Sequence, residues 1–303
     1  MIIIKDIEKF ASNIESEILF DFEIKNLNWF NIGGKTKVFF KPKTLKDLVE
    51  FLKLYSRRSK IFILGSGSNV LISDEIFQGL IIKLGKDFSR ISLLNENTIV
   101  AGAATTQRRL SEFSKDNNIG GLEFMSCIPG SIGGGVRMNS GCFNKEFKDV
   151  LVSIQVIDFN GQVKSIPAEK INFKYRNTDL PDDIIFLSAT FKGYKKNNLE
   201  IEKYMKELKE KKEISQPTKL KTSGSTFKNP ISQTQRKVWE LIKESVPLDK
   251  SFGDAHISDK HCNFFVNKGN ASFKDMNKLI NFVTESVLKK TGINLEKEIK
   301  ILK

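Results

Sequence analysis

The sequence predicts an α+β protein made of more than one domain. A chain of 303 residues is long enough for two or three domains. Residues 36–84 show a strand, helix, strand order that indicates a small α/β domain. Residues 150–157 and 162–166 are β-rich runs on either side of Asn160-Gly161, which is a strong hairpin signal. Hydrophobic residues make up 40% of the chain, and 24 residues are Phe, so a sizeable core is available and disorder is excluded.

The elements of the first part of the chain follow from hydrophobic spacing. An N-terminal helix within residues 1–20 is predicted from apolar residues at helical intervals, namely Ile7, Phe10, Ile14 and Ile18. A helix over residues 45–58 follows Thr44 and Asp47, whose spacing is that of a capping box. Strands are predicted over residues 36–40, 61–64 and 79–84.

The later elements are separated by a domain junction. Before it, the pattern predicts a helix over residues 105–118, strands over 150–157, 162–166 and 184–191, and a helix over 199–213. Pro217 and the polar residues 218–225 indicate the junction itself. After it come a helix over residues 233–244, a strand over 263–266, a helix that starts at Ser272 and stops before Gly292, and a strand over 295–302.

Composition excludes several classes of function. The formal charge is +13, but the lysines are scattered and interleaved with glutamate, so no nucleic-acid partner is expected. No secretion signal and no stretch of 18 apolar residues is present, which predicts a soluble, cytoplasmic protein without membrane insertion. Three cysteines without metal-ligand spacing indicate reduced thiols, and only two histidines are available, so no metal site is expected.

Two glycine-rich loops are the strongest functional signal. Seven of the 20 glycines lie within residues 120–141, and a second loop, Gly65 to Asn69, follows a short apolar strand. Backbone N–H groups in such loops form concave nests that bind anions, above all phosphates. Neither loop has the pattern of a Walker loop or of Gly-x-Gly-x-x-Gly. A tight structural turn would explain one loop alone, but two of them suggest a dinucleotide held by the backbone.

Five motifs in order resemble one family. They are LGSGSNVLISD (64–74), GLEFMSCIPGSIGGGVRMNSG (121–141), YRNTD (175–179), GSTFKNP (224–230) and LEKEIKIL (295–302). Together they resemble the UDP-N-acetylenolpyruvoylglucosamine reductase (UDP-N-acetylmuramate dehydrogenase, MurB) family. Its members are the FAD-dependent second enzymes of peptidoglycan precursor synthesis. The resemblance covers residues 28–303.

The resemblance implies a fold and a domain organisation. It implies the three-domain α+β FAD-binding fold of the vanillyl-alcohol-oxidase/PCMH type, with a C-terminal substrate domain. The expected domains are 1–85 with 293–303, then 86–214, and then 215–292. Only Lys192 to Asn198 separate a predicted strand from the next helix, so the chain resembles the shorter subclass that lacks a tyrosine loop. A monomer is expected.

The resemblance also implies the cofactors and the residues that hold them. NADPH would reduce the bound FAD. The FAD would be held noncovalently, since neither histidine lies in a glycine loop. The implied FAD-binding residues are Gly65, Ser66, Gly67, Ser68, Asn69, Ile128, Pro129, Gly130, Ser131, Gly133, Gly134, Asn139 and Gly141. Cys127 stands where the family usually has glycine, and it is either a small buried residue or a thiol near the flavin.

The implied catalytic residues are Arg176, Ser225 and Glu298. Hydride would pass from reduced FAD to C3 of the enolpyruvyl group, and negative charge would build at C2 and its carboxylate. Arg176 matches the catalytic arginine, and its planar fork suits a carboxylate. Ser225 matches the proton donor to C2, and Glu298 matches the active-site glutamate. Spacing alone does not separate Glu298 from Glu296, which is two residues away.

Asn229 matches a contact to the substrate, UDP-N-acetylglucosamine enolpyruvate. Three departures from the family pattern are Trp29 in place of a usual Thr, Phe143-Asn144 after the second glycine loop, and Lys221-Thr222-Ser223 before Gly224.

Two alternatives stay open at the level of the sequence. Another FAD-dependent oxidase or dehydrogenase of the same superfamily would share both glycine loops but lack the set of Arg176, Ser225 and Glu298. A nucleic-acid-binding protein would use the positive charge and would carry no bound chromophore. An exposed hairpin arginine and a strand serine are the structural alternatives for Arg176 and Ser225.

Overall fold

The computed structural model describes residues 2–55, 59–217 and 220–303. Its helices are α1 (Ile2–Ala11), α2 (Leu45–Tyr55), α3 (Gln107–Asp116), α4 (Ile132–Arg137), α5 (Asn198–Ser215), α6 (Val238–Ser245) and α7 (Phe273–Thr291). Its first ten strands are β1 (Glu17–Glu23), β2 (Lys35–Lys41), β3 (Ile61–Ile63), β4 (Val70–Ile72), β5 (Phe77–Ile82), β6 (Ile91–Asn95), β7 (Thr98–Gly102), β8 (Ile119–Gly120), β9 (Gly141–Cys142) and β10 (Lys145–Glu146). The others are β11 (Leu151–Asp158), β12 (Val163–Pro167), β13 (Phe173–Lys174), β14 (Asn177–Thr178), β15 (Ile184–Lys192), β16 (Tyr194–Lys195), β17 (Ser251–Phe252), β18 (Ala255–Ile257), β19 (Phe265–Asn267) and β20 (Lys300–Leu302).

The chain folds into two compact units. Unit 1 contains residues 1–20, 37–66 and 78–210, and unit 2 contains residues 21–36, 67–77 and 211–303. The first glycine loop therefore begins in unit 1 and continues in unit 2. The division into three domains expected from the sequence stays a prediction.

Unit 1 is built around two sheets. One has the strand order β1-β2-β5-β3, in which β3 and β5 are parallel, and the other is an antiparallel sheet of order β12-β11-β15-β7-β6. One core packs Phe40, Phe51 and other apolar residues of the first sheet and α2 against Ile185 and Leu187 of β15. A second core covers the other face of the antiparallel sheet with α3 and α4. Because both faces of β15 are covered, six of its nine residues are buried.

The predicted hairpin over residues 150–166 is confirmed. Strands β11 and β12 pair antiparallel with Ile157 opposite Val163. Gly161 has a φ of +81°, and the Asp158 carboxylate accepts hydrogen bonds from the backbone N–H groups of Asn160 and Gln162. The Asn-Gly pair thus lies at the turn, where a residue with positive φ is required.

The described residues of unit 2 share one apolar core. Helices α6 and α7 pack with the three-stranded sheet of order β17-β18-β19, and Phe30, Leu71 and Phe227 join the same core from elsewhere in the unit. The C-terminal strand β20 pairs parallel with β4, with Leu302 opposite Ile72. Residues 300–302 therefore pair with residues 70–72, which lie far from them in the sequence.

Helix α7 has both of its predicted ends. Ser272 is the N-cap, and its hydroxyl accepts a hydrogen bond from the Asp275 N–H at 3.1 Å. The Asp275 carboxylate accepts in return from the Ser272 N–H, which completes the capping box. Gly292 follows the helix with a φ of +72°, the left-handed conformation in which helices commonly end at glycine.

Two element predictions need correction at their ends. The N-terminal helix stops at Ala11, because the Ser12 and Asn13 side chains bond to the Lys9 carbonyl oxygen and compete with further helix. Ile18 accordingly lies in β1. Helix α6 begins at Val238 rather than at residue 233, since the Gln233 N–H donates to the Pro230 carbonyl in a turn.

Two further predictions extend beyond the elements observed. Strand β20 covers only residues 300–302 of the predicted 295–302, because Lys297 forms an isolated bridge with Phe227 instead. Helix α2 ends at Tyr55, and residues 56–58 of the predicted helix lie outside the described residues, as do residues 218–219 of the predicted junction. Across the described ranges, no helix has the length and apolar character needed to cross a membrane.

Candidate active site

The first glycine loop begins in unit 1 beside the second. A Cβ built on Gly65 would lie 2.6 Å from the Ser131 hydroxyl, so only glycine permits this close approach. The Lys83 ammonium donates a hydrogen bond to the Gly65 carbonyl oxygen. Burial lowers the pKa of Lys83, and the positive charge of nearby Lys41 lowers it further. The two loops predicted from sequence are thus brought together at Gly65 and Ser131.

The second glycine loop turns into a short helix. Gly130 has a φ of +137°, which places the chain in a conformation that L side chains rarely adopt. Ser131 then caps α4, and its hydroxyl accepts a hydrogen bond from the Gly134 N–H at 3.3 Å. A Cβ on Gly135 would lie only 2.3 Å from the Phe147 ring. The glycines of α4 therefore serve close packing as well as the loop.

Two buried polar atoms beside this loop lack a protein partner among the described residues. They are Thr105 Oγ1 and Gln107 Oε1, on side chains that are 1% exposed. The backbone connects them to the loop, because the Thr105 carbonyl accepts from the Ile132 N–H and the Gly130 carbonyl accepts from the Gln107 N–H. Buried polar atoms in proteins are almost always hydrogen-bonded, so a ligand is expected to supply these partners.

The first glycine loop continues in unit 2 at Gly67. Gly67 has a φ of +68°, and a Cβ there would lie 2.1 Å from the Leu27 carbonyl oxygen. The Gly67 carbonyl accepts from the Trp29 N–H at 3.0 Å. Asn28 is 5% exposed, and its Oδ1 is another buried atom for which the described residues offer no partner. In this stretch Asn28, rather than Trp29, presents the unsatisfied atom.

The remaining loop residues differ in exposure. Ser66, Ser68, Ile128 and Gly141 are half-buried, Pro129 and Gly134 are exposed, and Gly133 is buried. Cys127 is buried at 8% exposure, and its sulfur lies 3.6 Å from the Ser126 hydroxyl, in agreement with its interpretation as a small buried residue.

Asn139 connects the second glycine loop to the segments beside it. It has a φ of +40° and is fully buried. Its Nδ2 donates to Glu146 Oε2 at 3.0 Å and to the Lys174 carbonyl at 3.2 Å, while its Oδ1 accepts from the Lys148 N–H at 3.1 Å. These contacts are within the protein, and the assignment of Asn139 to the cofactor site stays a prediction.

Arg176 lies at the tip of the hairpin β13–β14. Lys174 pairs with Asn177, so Tyr175 and Arg176 form a two-residue turn, and Arg176 has a φ of +53°. Its Nη2 donates to the Gly141 carbonyl at 2.8 Å, and its guanidinium lies 5.0 Å from the centre of the Tyr175 ring. Only 19% of the side chain is exposed, so Arg176 is a packed residue rather than a solvated hairpin arginine.

Ser225 and Glu298 lie on neighbouring segments of unit 2. Ser225 forms a bridge with Phe264, and the Glu298 N–H donates to the carbonyl of Thr226 at 2.8 Å. The Glu298 carbonyl accepts in turn from Asn69 Nδ2 at 3.1 Å. Unit 2 thus brings a predicted catalytic pair to the end of the first glycine loop.

The two candidate glutamates are now distinguished by their surroundings. The Glu296 side chain is 72% exposed and pairs with the Lys228 ammonium at 2.5 Å. Glu298 is half-buried. Residues 296 and 298 lie outside β20, so the expected regular strand face does not exist there.

Asn229 and Thr226 are two other polar side chains of this segment. Asn229 Oδ1 accepts from the Val238 N–H at 3.1 Å and so starts α6. Thr226 Oγ1 is a further buried atom without a partner in the described part of the chain.

Sequence reasoning missed four residues of this region, Lys83, Thr105, Gln107 and Glu146. Lys83 could have been found from its place after β5, because the carboxyl ends of parallel strands β3 and β5 lie at one edge of the sheet. No sequence signal distinguishes Thr105 and Gln107 from other polar residues, because only their burial in the folded chain makes them notable. Glu146 follows Phe143-Asn144, where the chain departs from the family pattern.

Comparisons with known proteins give consistent results. Residues 216–302 match the family model of the UDP-N-acetylenolpyruvoylglucosamine reductase C-terminal domain, and residues 36–166 match that of an FAD binding domain. The chain is 67% identical over 300 residues to UDP-N-acetylenolpyruvoylglucosamine reductase of Pelagibacter ubique, covering 99% of each protein. It is 42% identical over 287 residues to the Rickettsia bellii reductase, covering 95% of this chain and 94% of that protein.

A solved structure extends the similarity to the fold. The crystal structure of UDP-N-acetylenolpyruvylglucosamine reductase from Thermus caldophilus matches with a TM-score of 0.81 at 28% identity, covering 95% of this chain and 99% of that one. With the FAD-binding match, it confirms the predicted α+β FAD-binding fold.

Proposed function

Because this chain belongs to the UDP-N-acetylenolpyruvoylglucosamine reductase family, we propose that it reduces UDP-N-acetylglucosamine enolpyruvate to UDP-N-acetylmuramate with NADPH as electron donor. The observation that carries this proposal is the 67% identity to the Pelagibacter ubique reductase over 99% of both chains. The reaction is a step of peptidoglycan precursor synthesis, and we assign it to a cytoplasmic monomer.

The residues present fit FAD, as expected of a flavin-dependent oxidoreductase. In unit 1 the exposed Gly65 lies beside Ser131, and Thr105 and Gln107 carry buried polar atoms without partners among the described residues. In unit 2 Asn28 carries another such atom. The two glycine loops would hold the cofactor noncovalently through backbone and side-chain donors. When bound, FAD would supply the hydride-transfer chemistry that connects NADPH with C3 of the substrate.

Arg176 is proposed to bind the substrate carboxylate. Negative charge that develops at C2 delocalises into this carboxylate, so a guanidinium there stabilises the transition state. The planar fork of arginine matches a carboxylate with two parallel hydrogen bonds. The partly buried guanidinium, held at Gly141 and against Tyr175, supports this role because a fixed charge needs little reorganisation.

Ser225 is proposed to give C2 its proton, with Glu298 hydrogen-bonding near Ser225 or the intermediate. Ser225 is half-buried, and its backbone forms a bridge with Phe264. As a proton donor it needs no adjacent base, in contrast to a nucleophilic serine. Asn229 is proposed to contact the substrate.

Two half-reactions test the function. The purified protein should be yellow, and its flavin absorbance should bleach when NADPH is added without oxygen. UDP-N-acetylglucosamine enolpyruvate should then restore the absorbance. A colourless protein would favour the nucleic-acid-binding alternative. A flavin that NADPH reduces but this substrate leaves reduced would favour another oxidase or dehydrogenase of the superfamily.

A further inference from the structure

Glu146 lies next to Gly141, the last residue of the second glycine loop. It belongs to β10, and its pairing partner in β9 is Gly141. Its side chain is 20% exposed and 3.7 Å from Arg176, measured from Oε1 to Nη1. The guanidinium of Arg176 thus contacts both members of one β pair, the Gly141 carbonyl through Nη2 and the Glu146 carboxylate through Nη1.

The same carboxylate gathers contacts from other parts of unit 1. Its Oε2 accepts from Asn139 Nδ2 at 3.0 Å and pairs with the Lys148 ammonium at 3.1 Å. The Asp149 N–H also bonds to the Glu146 side chain, in a capping box at the short turn that follows. Glu146 therefore connects the buried Asn139, at the end of the second glycine loop, with the hairpin that carries Arg176.

The backbone of Arg176 has a strained conformation in the turn between β13 and β14. A residue other than glycine in the left-handed conformation costs free energy, and such conformations persist only where the surroundings enforce them. The Tyr175 ring supports one side of the guanidinium at 5.0 Å. The hydrogen bond from Nη2 to the Gly141 carbonyl fixes one end of the planar fork, and the Glu146 carboxylate attracts Nη1 as an ion pair at 3.7 Å.

We propose that Glu146 is a positioning residue for the reaction, because it fixes the Arg176 guanidinium in the orientation that receives the substrate carboxylate. This inference rests on the proposed function of Arg176. Glu146 acts only through Arg176 and touches no reacting atom.

The test is a double-mutant cycle on the holoenzyme. Glu146→Gln keeps an acceptor for the Asp149 N–H but removes the charge, and Glu146→Ala removes both. Reoxidation of reduced flavin by the enolpyruvyl substrate should slow about 10-fold in the first variant and about 100-fold in the second, since small misplacement of a binding group costs up to about 10²-fold. FAD content and the rate of flavin reduction by NADPH should stay native.

The decisive comparison uses an Arg176→Ala background. There the Glu146→Gln change should slow reoxidation less than about 2-fold further, because residues that act through one another are not additive. The matched control is Glu112→Gln, which breaks a Glu–Arg pair of 2.8 Å with Arg108 on α3 and should leave reoxidation unchanged. Substrate affinity, read from the change in flavin absorbance on binding, should weaken in the Glu146 variants but not in the control.

Four results would overturn the inference. Equal slowing by Glu146→Gln in both backgrounds would show that Glu146 does not act through Arg176. Loss of FAD from both Glu146 variants would show that it supports the loop alone. Native reoxidation in Glu146→Ala, alongside slow reoxidation in Arg176→Ala, would remove Glu146 but leave the function of Arg176. Native reoxidation in Arg176→Ala would remove both.

Discussion

The Ser225 hydroxyl permits the sharpest test at the scale of single residues. If it only protonates C2, it takes no part when NADPH reduces the flavin. Ser225→Ala should therefore bind FAD and bleach with NADPH at nearly the native rate. Reoxidation by the enolpyruvyl substrate should slow about 10²–10⁴-fold, the usual contribution of general-acid catalysis. Ser225→Cys keeps an ionisable proton and should fall between the two.

Stopped-flow absorbance of each half-reaction decides the Ser225 test. A purely structural role, as a residue bridged to Phe264, predicts flavin loss or slowing of both half-reactions together. Equal slowing of the two, or an unchanged oxidative half-reaction, would take the proton-donor role away from Ser225.

Arg176 offers a second residue-scale prediction. Arg176→Lys keeps a positive charge but loses the planar fork that contacts Gly141 and Glu146. We expect normal FAD content, a native rate of flavin reduction by NADPH and slow reoxidation by substrate. The flavin spectrum of the purified variant is the control, because loss of yellow colour would place Arg176 in the flavin site or the fold instead.

The residues that sequence alone could identify are those with distinctive motifs. The glycine loops pointed to Gly65, while the YRNTD and GSTFKNP segments pointed to Arg176 and Ser225 through their resemblance to the family. Lys83 and Glu146 could not be identified in that way, since isolated charged residues are common and their meaning lies in what they contact. The assignment of catalytic roles stays a prediction until the variants are measured.

At the scale of elements, helix α4 depends on a glycine for packing. The Phe147 ring lies where a Cβ on Gly135 would be, at 2.3 Å, and this ring also stacks edge-on with Phe124 and Phe191. Gly135→Ala should cost about 1–3 kcal/mol of stability, the usual effect of overpacking a core. Thermal unfolding of the cofactor-free protein measures it.

The neighbouring glycine is the matched control for that prediction. At Gly134 a Cβ would meet only the Ser131 hydroxyl, at 3.4 Å, and the position is exposed. Gly134→Ala should leave the stability of the cofactor-free protein unchanged or raise it slightly, because alanine restricts the unfolded chain. Equal melting temperatures for the two variants would contradict the packing role of Gly135.

The capping box of α7 predicts a dependence of stability on pH. Hydrogen bonds from the Ser272 side chain and backbone lower the pKa of Asp275 below its ordinary value of 3.8. A lowered folded-state pKa means that the ionised carboxylate stabilises the protein above pH 3.8 and that this contribution is lost as the pH falls below it. Asp275→Asn should therefore be less stable than the native protein at pH 7, with the difference shrinking below about pH 4. Melting temperatures of both proteins across this range test it, and a constant difference would contradict it.

The short connection after β15 gives another prediction at the element scale. Residues 193–197 link β15 to α5, and Tyr194 lies in β16, which pairs with β8. Its side chain is exposed, and we expect that it does not cover the substrate. Tyr194→Phe should have native KM and kcat in steady-state assays. A large rise in the KM for the enolpyruvyl substrate would refute this.

At the scale of the whole molecule, the class of fold was predictable, while several boundaries were not. The α+β character and the hairpin over residues 150–166 followed from hydrophobic period and turn chemistry. Helix α4 was not predictable, because three consecutive glycines disfavour a helix and packing against β15 and Phe147 overrides that preference. The short extent of β20 depends on a pairing with β4 that no local pattern contains.

The pairing of β20 with β4 also has a consequence for the order of events during synthesis. The ribosome synthesises residues 21–36 and 67–77 of unit 2 early. Most of the core of unit 2 and its last strand belong to residues 211–303, which are synthesised later. The contact between Asn69 and Glu298 spans 229 residues of sequence, a long loop to close. Phe30 and Leu71 therefore lack most of their core partners until residues 211–303 have been synthesised. A nascent chain stalled before residue 300 should leave this unit open to protease, whereas release of the full chain should protect it.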